Sequence, residues 1–350
     1  MNTFTYSYPV KVYFGEGAAK KNLADELAKV GKTVMLAYGG GSVKRNGIYE
    51  ELTAILKDAG KHIVEFTGIM SNPTYAKVQE GAKLAKECAV DFILAVGGGS
   101  VIDCCKIVSA QAKLDEDIWE LEYGKGGRPA EFIPMGAVVT AFGTGAEENN
   151  GAVITNEEKM LKSALWGAFY DFTILDPKYT MSMPMKQVIS GAFDSLSHSM
   201  ETYMGSPRET NYSDEINEAT QRNIIRNIRA ALENPDDLQA RSELVWAAAM
   251  AENGMLKIGK VTDFQCHMLE HQLGAYTDCN HGQGLAVLHP ALYRHMLPEA
   301  QAQFARLAVN VWNVNPEGKT EAELAECFIR ALSAFIKEIG LPTTLHEMGI

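Results

Sequence analysis

The chain has 350 residues, 46% hydrophobic and 22% charged, with 32 Lys and Arg against 44 Asp and Glu and a net charge of −12. That length supports two domains with sizeable cores, whereas an acidic chain without a Lys/Arg block does not suit nucleic acid or an anionic membrane, both of which need basic surface. No apolar run of ~18 residues is present to span a bilayer, and the start MNTFTYSYPV has no charged segment leading into an apolar stretch, so the expectation is a soluble cytoplasmic protein without a signal peptide.

In chain order, residues 10–14 read as a strand, 19–30 as a helix, 33–38 as a strand, 48–59 as a helix, 62–66 as a strand, 75–87 as a helix and 92–96 as a strand. Short apolar runs bounded by glycine and separated by helices predict a parallel sheet covered on both faces. Residues 137–140, 152–155 and 173–175 continue the strand-like segments. After Asp176-Pro177 the strands stop, and helical patterns follow at 186–203, 214–233, 238–253, 265–276, 299–311 and 321–339. Ser213 with Asp214 is the expected N-cap of the second of these, Asn234-Pro235 its end, and Gly340-Leu341-Pro342 the end of the last. The organisation is an α/β Rossmann-like N-terminal domain over 1–180, then an all-α C-terminal domain over 181–350. The cleft between two such domains is the expected place for a site. The six cysteines, Cys88, Cys104, Cys105, Cys266, Cys279 and Cys327, show no CxxC and read as reduced thiols.

Two strands run into the same tetrapeptide. Gly97-Gly98-Gly99-Ser100 leads into a helix that starts Val101-Ile102-Asp103, and consecutive glycines before free helix N–H groups suit a phosphate. Gly39-Gly40-Gly41-Ser42 follows the strand at 33–38. Neither loop spells GxGxxG. The strand end that often offers a carboxylate to an adenosine ribose carries Gly39 here, with Ser42, Lys44 and Arg45 behind it, which favours NADP(H) over NAD(H).

Five of the eight histidines, His267, His271, His281, His289 and His295, fall within one stretch. Asp194 and His198 are four apart in a helical pattern, as are His267 and His271, so each pair shares a helix face. His281 is expected to open a turn through Gly284. Imidazoles with a carboxylate suit a borderline divalent cation such as Zn²⁺ or Fe²⁺. Together with the nucleotide loops they suggest carbonyl polarisation by a metal and hydride delivery by a nicotinamide.

From Phe14-Gly15-Glu16-Gly17 to Leu341-Pro342-Thr343 the sequence resembles the iron-containing (group III) alcohol dehydrogenases, in the branch of NADPH-dependent butanol dehydrogenases and aldehyde reductases. The elements that carry the likeness are Gly97-Gly98-Gly99-Ser100-x-x-Asp103-x-x-Lys106, Gly143-Thr144-Gly145-x-Glu147, Leu175-Asp176-Pro177, and the D-x3-H and H-x3-H…HG segments. The resemblance implies a dehydroquinate synthase-like architecture and reversible interconversion of aldehydes and primary alcohols such as butanol. It also implies one divalent metal on Asp194, His198, His267 and His281, with His271 near the substrate and not a regular ligand, either as a catalytic proton relay or as a support to the ligands. For the cofactor it implies Gly39, Gly40, Ser42, Asn72, Gly98, Gly99, Ser100, Asp103, Thr140 and Thr144, with Lys162 preferred to Lys159 near the nicotinamide ribose. Phe142 and Ala146 depart from the usual residues beside the cofactor, and Trp119 and Trp166 are candidates for the substrate path or for packing. A homodimer paired through N-terminal strands is implied, with 4–14 available for strand addition. Relatives generally continue through further C-terminal helices, so the resemblance implies a helical domain that lacks a part if the cut at Ile350 is real. Competing readings are a glycerol dehydrogenase-like polyol oxidoreductase, a dehydroquinate synthase-type lyase and a non-catalytic nucleotide-binding metalloprotein.

Overall fold

The computed structural model describes all residues from Met1 to Ile350. The chain divides into two compact units, one of Tyr8–Met183 and one of Met1–Ser7 with Pro184–Ile350.

The first unit is α/β. Its strands are β1 (Lys11–Phe14), β2 (Thr33–Tyr38), β3 (His62–Phe66), β4 (Phe92–Gly97), β5 (Met135–Val139), β6 (Gly151–Asn156), β7 (Leu161–Trp166) and β8 (Phe172–Leu175). Six of them form one sheet in the order β1-β8-β5-β4-β2-β3, parallel at every pairing, with Leu36 opposite Leu94 and Ala95 opposite Ala137. Helices α1 (Ala18–Leu27), α2 (Ser42–Arg45), α3 (Ile48–Asp58), α4 (Tyr75–Glu87), α5 (Gly99–Gln111) and α6 (Pro177–Thr180) connect and cover it. On one face Leu23, Leu27, Leu52 and Leu56 pack on Leu36, Leu94 and Ile174. On the other, Gly81 of α4 lies so close to Phe66 and Val108 that a Cβ would meet each at 2.7 Å. Coverage on both faces explains why β4 is buried along its whole length.

One strand expectation is corrected. Residues 152–155 do form a strand, but β6 leaves the main sheet and pairs antiparallel with β7, Thr155 opposite Lys162. Sequence reading missed β7 because Lys162 and Ser163 break its apolar run. The alternation of buried and half-buried positions along β6 is that of a hairpin strand, not of a strand covered on both sides.

The second unit is helical: α7 (Met185–Tyr203), α8 (Tyr212–Glu233), α9 (Leu238–Glu252), α10 (Gln265–Thr277), α11 (His281–Asn310) and α12 (Glu321–Glu338). The N-terminal residues join it through the Asn2 N–H, which donates to the Gly259 carbonyl at 3.0 Å. Two helix starts differ from expectation. α8 is capped by Asn211 in a reciprocal capping box with Asp214, which leaves Ser213 inside the first turn. His281 opens no turn; it is the first residue of α11, behind an Asn280 side chain that accepts from the Gln283 N–H at 3.2 Å. Gly282, Gly284, Pro290 and Pro298 hid this helix in the sequence. Gly282 is needed for close approach, since a Cβ there would lie 2.2 Å from the Ser190 carbonyl oxygen, and the chain kinks at Ala300, just past Pro298. No helix is long and apolar enough to cross a membrane.

Candidate functional site

The chemistry-bearing side chains of the helical unit come from three helices. On α7, Asp194, His198 and Glu201 stand at i, i+4 and i+7 and are all buried. α10 begins after Phe264, whose backbone is left-handed at φ 49. Its opening amides are taken by Glu201, which accepts from Cys266 N–H at 2.6 Å and from His267 N–H at 3.2 Å. The same carboxylate meets His267 Nδ1. His281, at the start of α11, has its Nδ1 on Glu270, a fully buried residue of α10.

With both Nδ1 atoms occupied, both Nε2 atoms turn to one oxygen. His267 Nε2 lies 3.3 Å and His281 Nε2 3.4 Å from Asp194 Oδ1, and His198 Nε2 approaches the same atom at 3.8 Å. Asp194, His267 and His281 each offer one ligand atom within 4.8 Å of the others. His198 stands beside this set with its ring stacked on His267 at 4.4 Å, and its buried Nδ1 has no hydrogen-bond partner. His271 sits one turn from His267 with its ring 5.8 Å from that of His281.

The electrostatics are those of a carboxylate cage. Burial pushes the Asp194 carboxyl up, but His198 and His281 beside it hold it well below the usual range. Burial works against charging His267; Asp194 and Glu201 on its two sides overcome that and push it up to about 10. Burial and then Asp194 act in the same opposed way on His281, with a net rise. For His198 burial prevails over Asp194 and the shift is downward. The three buried carboxylates hold protons on His267 and His281; a divalent cation would replace those protons and balance the same negative charge, and the donor set of oxygen and imidazole nitrogen suits one.

Glu201 and Glu270 escaped the sequence reading. Each lies three residues past a histidine on its own helix, His198 or His267, and that spacing was the available signal. By contrast, His289 belongs to the packed interior. Its Nε2 is 2.6 Å from Ser197 Oγ, and burial pushes it down to about 4. His295 is exposed.

In the α/β unit the expected cofactor residues gather at the C-terminal ends of parallel strands. Gly98, Gly99 and Ser100 follow β4, and the Thr140 N–H donates to the Gly97 carbonyl at 2.9 Å. A Cβ on Gly99 would lie 2.3 Å from Thr144 Oγ1, and one on Gly98 3.0 Å from Ala141. These glycines therefore let the segment after β5 close on the start of α5. No side chain caps that helix N-terminus, which leaves its amides suited to a phosphate. Asp103 Oδ2 accepts from the Val153 N–H at 2.9 Å, and the fully buried Lys106 donates to Asn149 Oδ1 at 3.1 Å, which ties α5 to the hairpin. Gly39, Gly40 and Ser42 follow β2, with Gly39 close to the Ile69 carbonyl and open space at Gly40. Asn72, at φ 51, precedes α4. Lys162 is buried within β7, whereas Lys159 is half-exposed and paired with Glu120 at 2.9 Å. Trp119 is buried and stacked on Tyr123, a packing role, while Trp166 is partly exposed under Arg128.

The profile described as iron-containing alcohol dehydrogenase matches residues 9–177, and that of the Fe-containing alcohol dehydrogenase family C-terminal region matches 188–350. The chain belongs to the iron-containing alcohol dehydrogenase family. It is 39% identical to a probable NADH-dependent butanol dehydrogenase 1 of Bacillus subtilis over 353 residues, and 35% identical to the NADPH-dependent aldehyde reductase YqhD of Escherichia coli over 354 residues. Each match covers 100% of this chain and 90% of the relative. Its fold is similar to the crystal structure of NADH-dependent butanol dehydrogenase A from Thermotoga maritima, with a TM-score of 0.94 at 36% identity over 100% of this chain and 87% of that one. As a family member the chain is an alcohol–aldehyde oxidoreductase that works with a divalent metal and a nicotinamide nucleotide.

Proposed function

We propose that this dehydrogenase reduces short aldehydes to primary alcohols such as butanol with NADPH, and that Asp194, His198, His267 and His281 hold one divalent cation, Fe²⁺ or Zn²⁺. The observation that carries the reading is the convergence of three imidazole Nε2 atoms on Asp194 Oδ1, two of them with Nδ1 fixed by a second carboxylate. When bound, the cation polarises a carbonyl oxygen and reduced nicotinamide supplies the hydride. Asp194 supplies anionic charge to the cation. Glu201 and Glu270 keep the proton of His267 and His281 on Nδ1, so that Nε2 stays available as a donor. His271 passes a proton to the alcohol oxygen. The uncapped amides of α5 bind the pyrophosphate. The absence of a carboxylate at Gly39 supports acceptance of the 2′-phosphate; the names of the relatives include users of either nucleotide.

The test is loss of NADPH absorbance with butyraldehyde, using protein loaded anaerobically with Fe²⁺ or Zn²⁺ and protein stripped by chelator. Turnover is expected with metal and none without it. Equal rates after complete stripping, or no turnover with either metal and either nucleotide, would overturn the proposal.

A further inference from the structure

The two cations behind the first glycine loop are not in equivalent positions. The Arg45 guanidinium folds back against Gly41, with Nη1 3.0 Å from where a Cβ there would stand. Lys44 enters a four-residue cluster built from four elements. Its Nζ is 3.6 Å from Glu65 Oε2 on β3, 5.3 Å from the ring centre of Tyr38 at the end of β2, and 4.4 Å from that of Tyr49 on α3. Both tyrosines aim their hydroxyls at the same carboxylate. The Tyr38 hydroxyl donates to Glu65 Oε2 at 2.5 Å, and the Tyr49 hydroxyl donates to Oε1.

The geometry fixes the roles. Glu65 has both oxygens occupied by tyrosine hydroxyls, which hold it below the usual carboxylate range, so it stays charged and, although exposed, is already committed to its two partners. It is thus poorly placed to accept from ribose hydroxyls, as the carboxylate at a dinucleotide strand end does. Lys44 is likewise half-exposed, but it is an ammonium on a flexible stem, five residues past Gly39, held by one carboxylate. A Gly68 N–H to Gly39 carbonyl bond at 3.1 Å ties the β3 end to that same loop. An anion arriving at the loop competes with Glu65 for Lys44.

We propose that Glu65 sets the cofactor preference by restraining Lys44: it lowers the response to a nucleotide 2′-phosphate and leaves the unphosphorylated nucleotide unaffected. Glu65 is a positioning residue in this scheme and acts through Lys44. The inference rests on the reading that the β2 end receives the adenosine ribose.

Equilibrium titration of NADPH and NADH, followed by nucleotide fluorescence with the metal-loaded chain, tests it without turnover. Glu65→Gln is expected to tighten NADPH about fivefold, the scale of one partly exposed charge pair, with NADH unchanged. Lys44→Met should weaken NADPH by a similar factor, and adding Glu65→Gln to it should change the ratio less than about twofold. NADH is the internal control, because a merely structural disturbance moves both nucleotides together. A Glu65→Gln effect equal on both nucleotides, absent, or undiminished without Lys44 overturns the inference alone. A parent protein that binds neither nucleotide overturns the functional reading beneath it.

Discussion

The proposed cation centre of the helical unit and the glycine-loop ends of the α/β unit solve different problems with different materials. The first is made of side chains, each imidazole steered by a second carboxylate: His267 by Glu201, His281 by Glu270. The second is made of main chain, and its side chains act mainly by being absent, as at Gly99 against Thr144. A side-chain site tolerates no change in its donors but grades smoothly with their supporting partners. A main-chain site responds to added atoms.

The contrast is sharpened first by substitutions at the cation centre. His267→Ala should abolish stoichiometric metal and lower aldehyde reduction by about a thousandfold or more, since the polarising charge goes with it. Glu201→Gln should leave the donor in place yet weaken metal binding by about ten- to a hundredfold in a chelator competition. His271→Gln should keep metal and alter the pH–rate profile. Full metal content in His267→Ala would remove that residue from the coordination set, and an unchanged profile in His271→Gln would end its proton role.

At the glycine loop the expected effect is smaller and lands on the other partner. Gly99→Ala should displace Thr144 or the first turn of α5 and weaken NADPH about tenfold, with metal content untouched. If metal were lost and nucleotide binding kept, the separation of the two regions would be wrong.

An effect on stability alone, with neither metal nor nucleotide binding involved, concerns Glu147 and Glu148, buried beside the glycine-loop helix. Burial pushes Glu148 up to about 7, against hydrogen bonds from Tyr8 and Thr173 and the nearby Lys106. Burial and the neighbouring Glu148 push Glu147 up to about 8. The folded chain therefore keeps protons that the unfolded chain has shed above the ordinary carboxylate range, and stability falls as pH rises from about 4.5 toward 8. Glu148→Gln should flatten that fall, with a gain of about 2 kcal/mol at pH 8 and little at pH 4.5. Parallel curves of Tm against pH for parent and variant would contradict it.

Much of this was legible in the sequence where local pattern and global role agree. The strands 33–38 and 62–66 are apolar runs between glycines or charges, and they have the expected bounds. Asp194 and His198 share a helix face because their spacing of four is a property of any helix. Legibility failed where tertiary contact decides. β7 carries Lys162 inward and so hides its alternation. The first half of α11 contains glycines and prolines that a propensity reading treats as loop, yet Gly282 is small because Ser190 of another helix lies against it. Glu201 and Glu270 look like ordinary helix carboxylates until the helix that meets each is known.

Glu201 joins two duties in one group: it seats the opening amides of α10 and grips the imidazole of His267. Rotation or slippage of that helix would drag the ring with it, so the helix is keyed to its function at a single tooth. Its outward residues, among them the half-exposed Met268 and Leu269, stand free of that constraint. Drift in sequence along α10 should collect on those positions and leave the key intact.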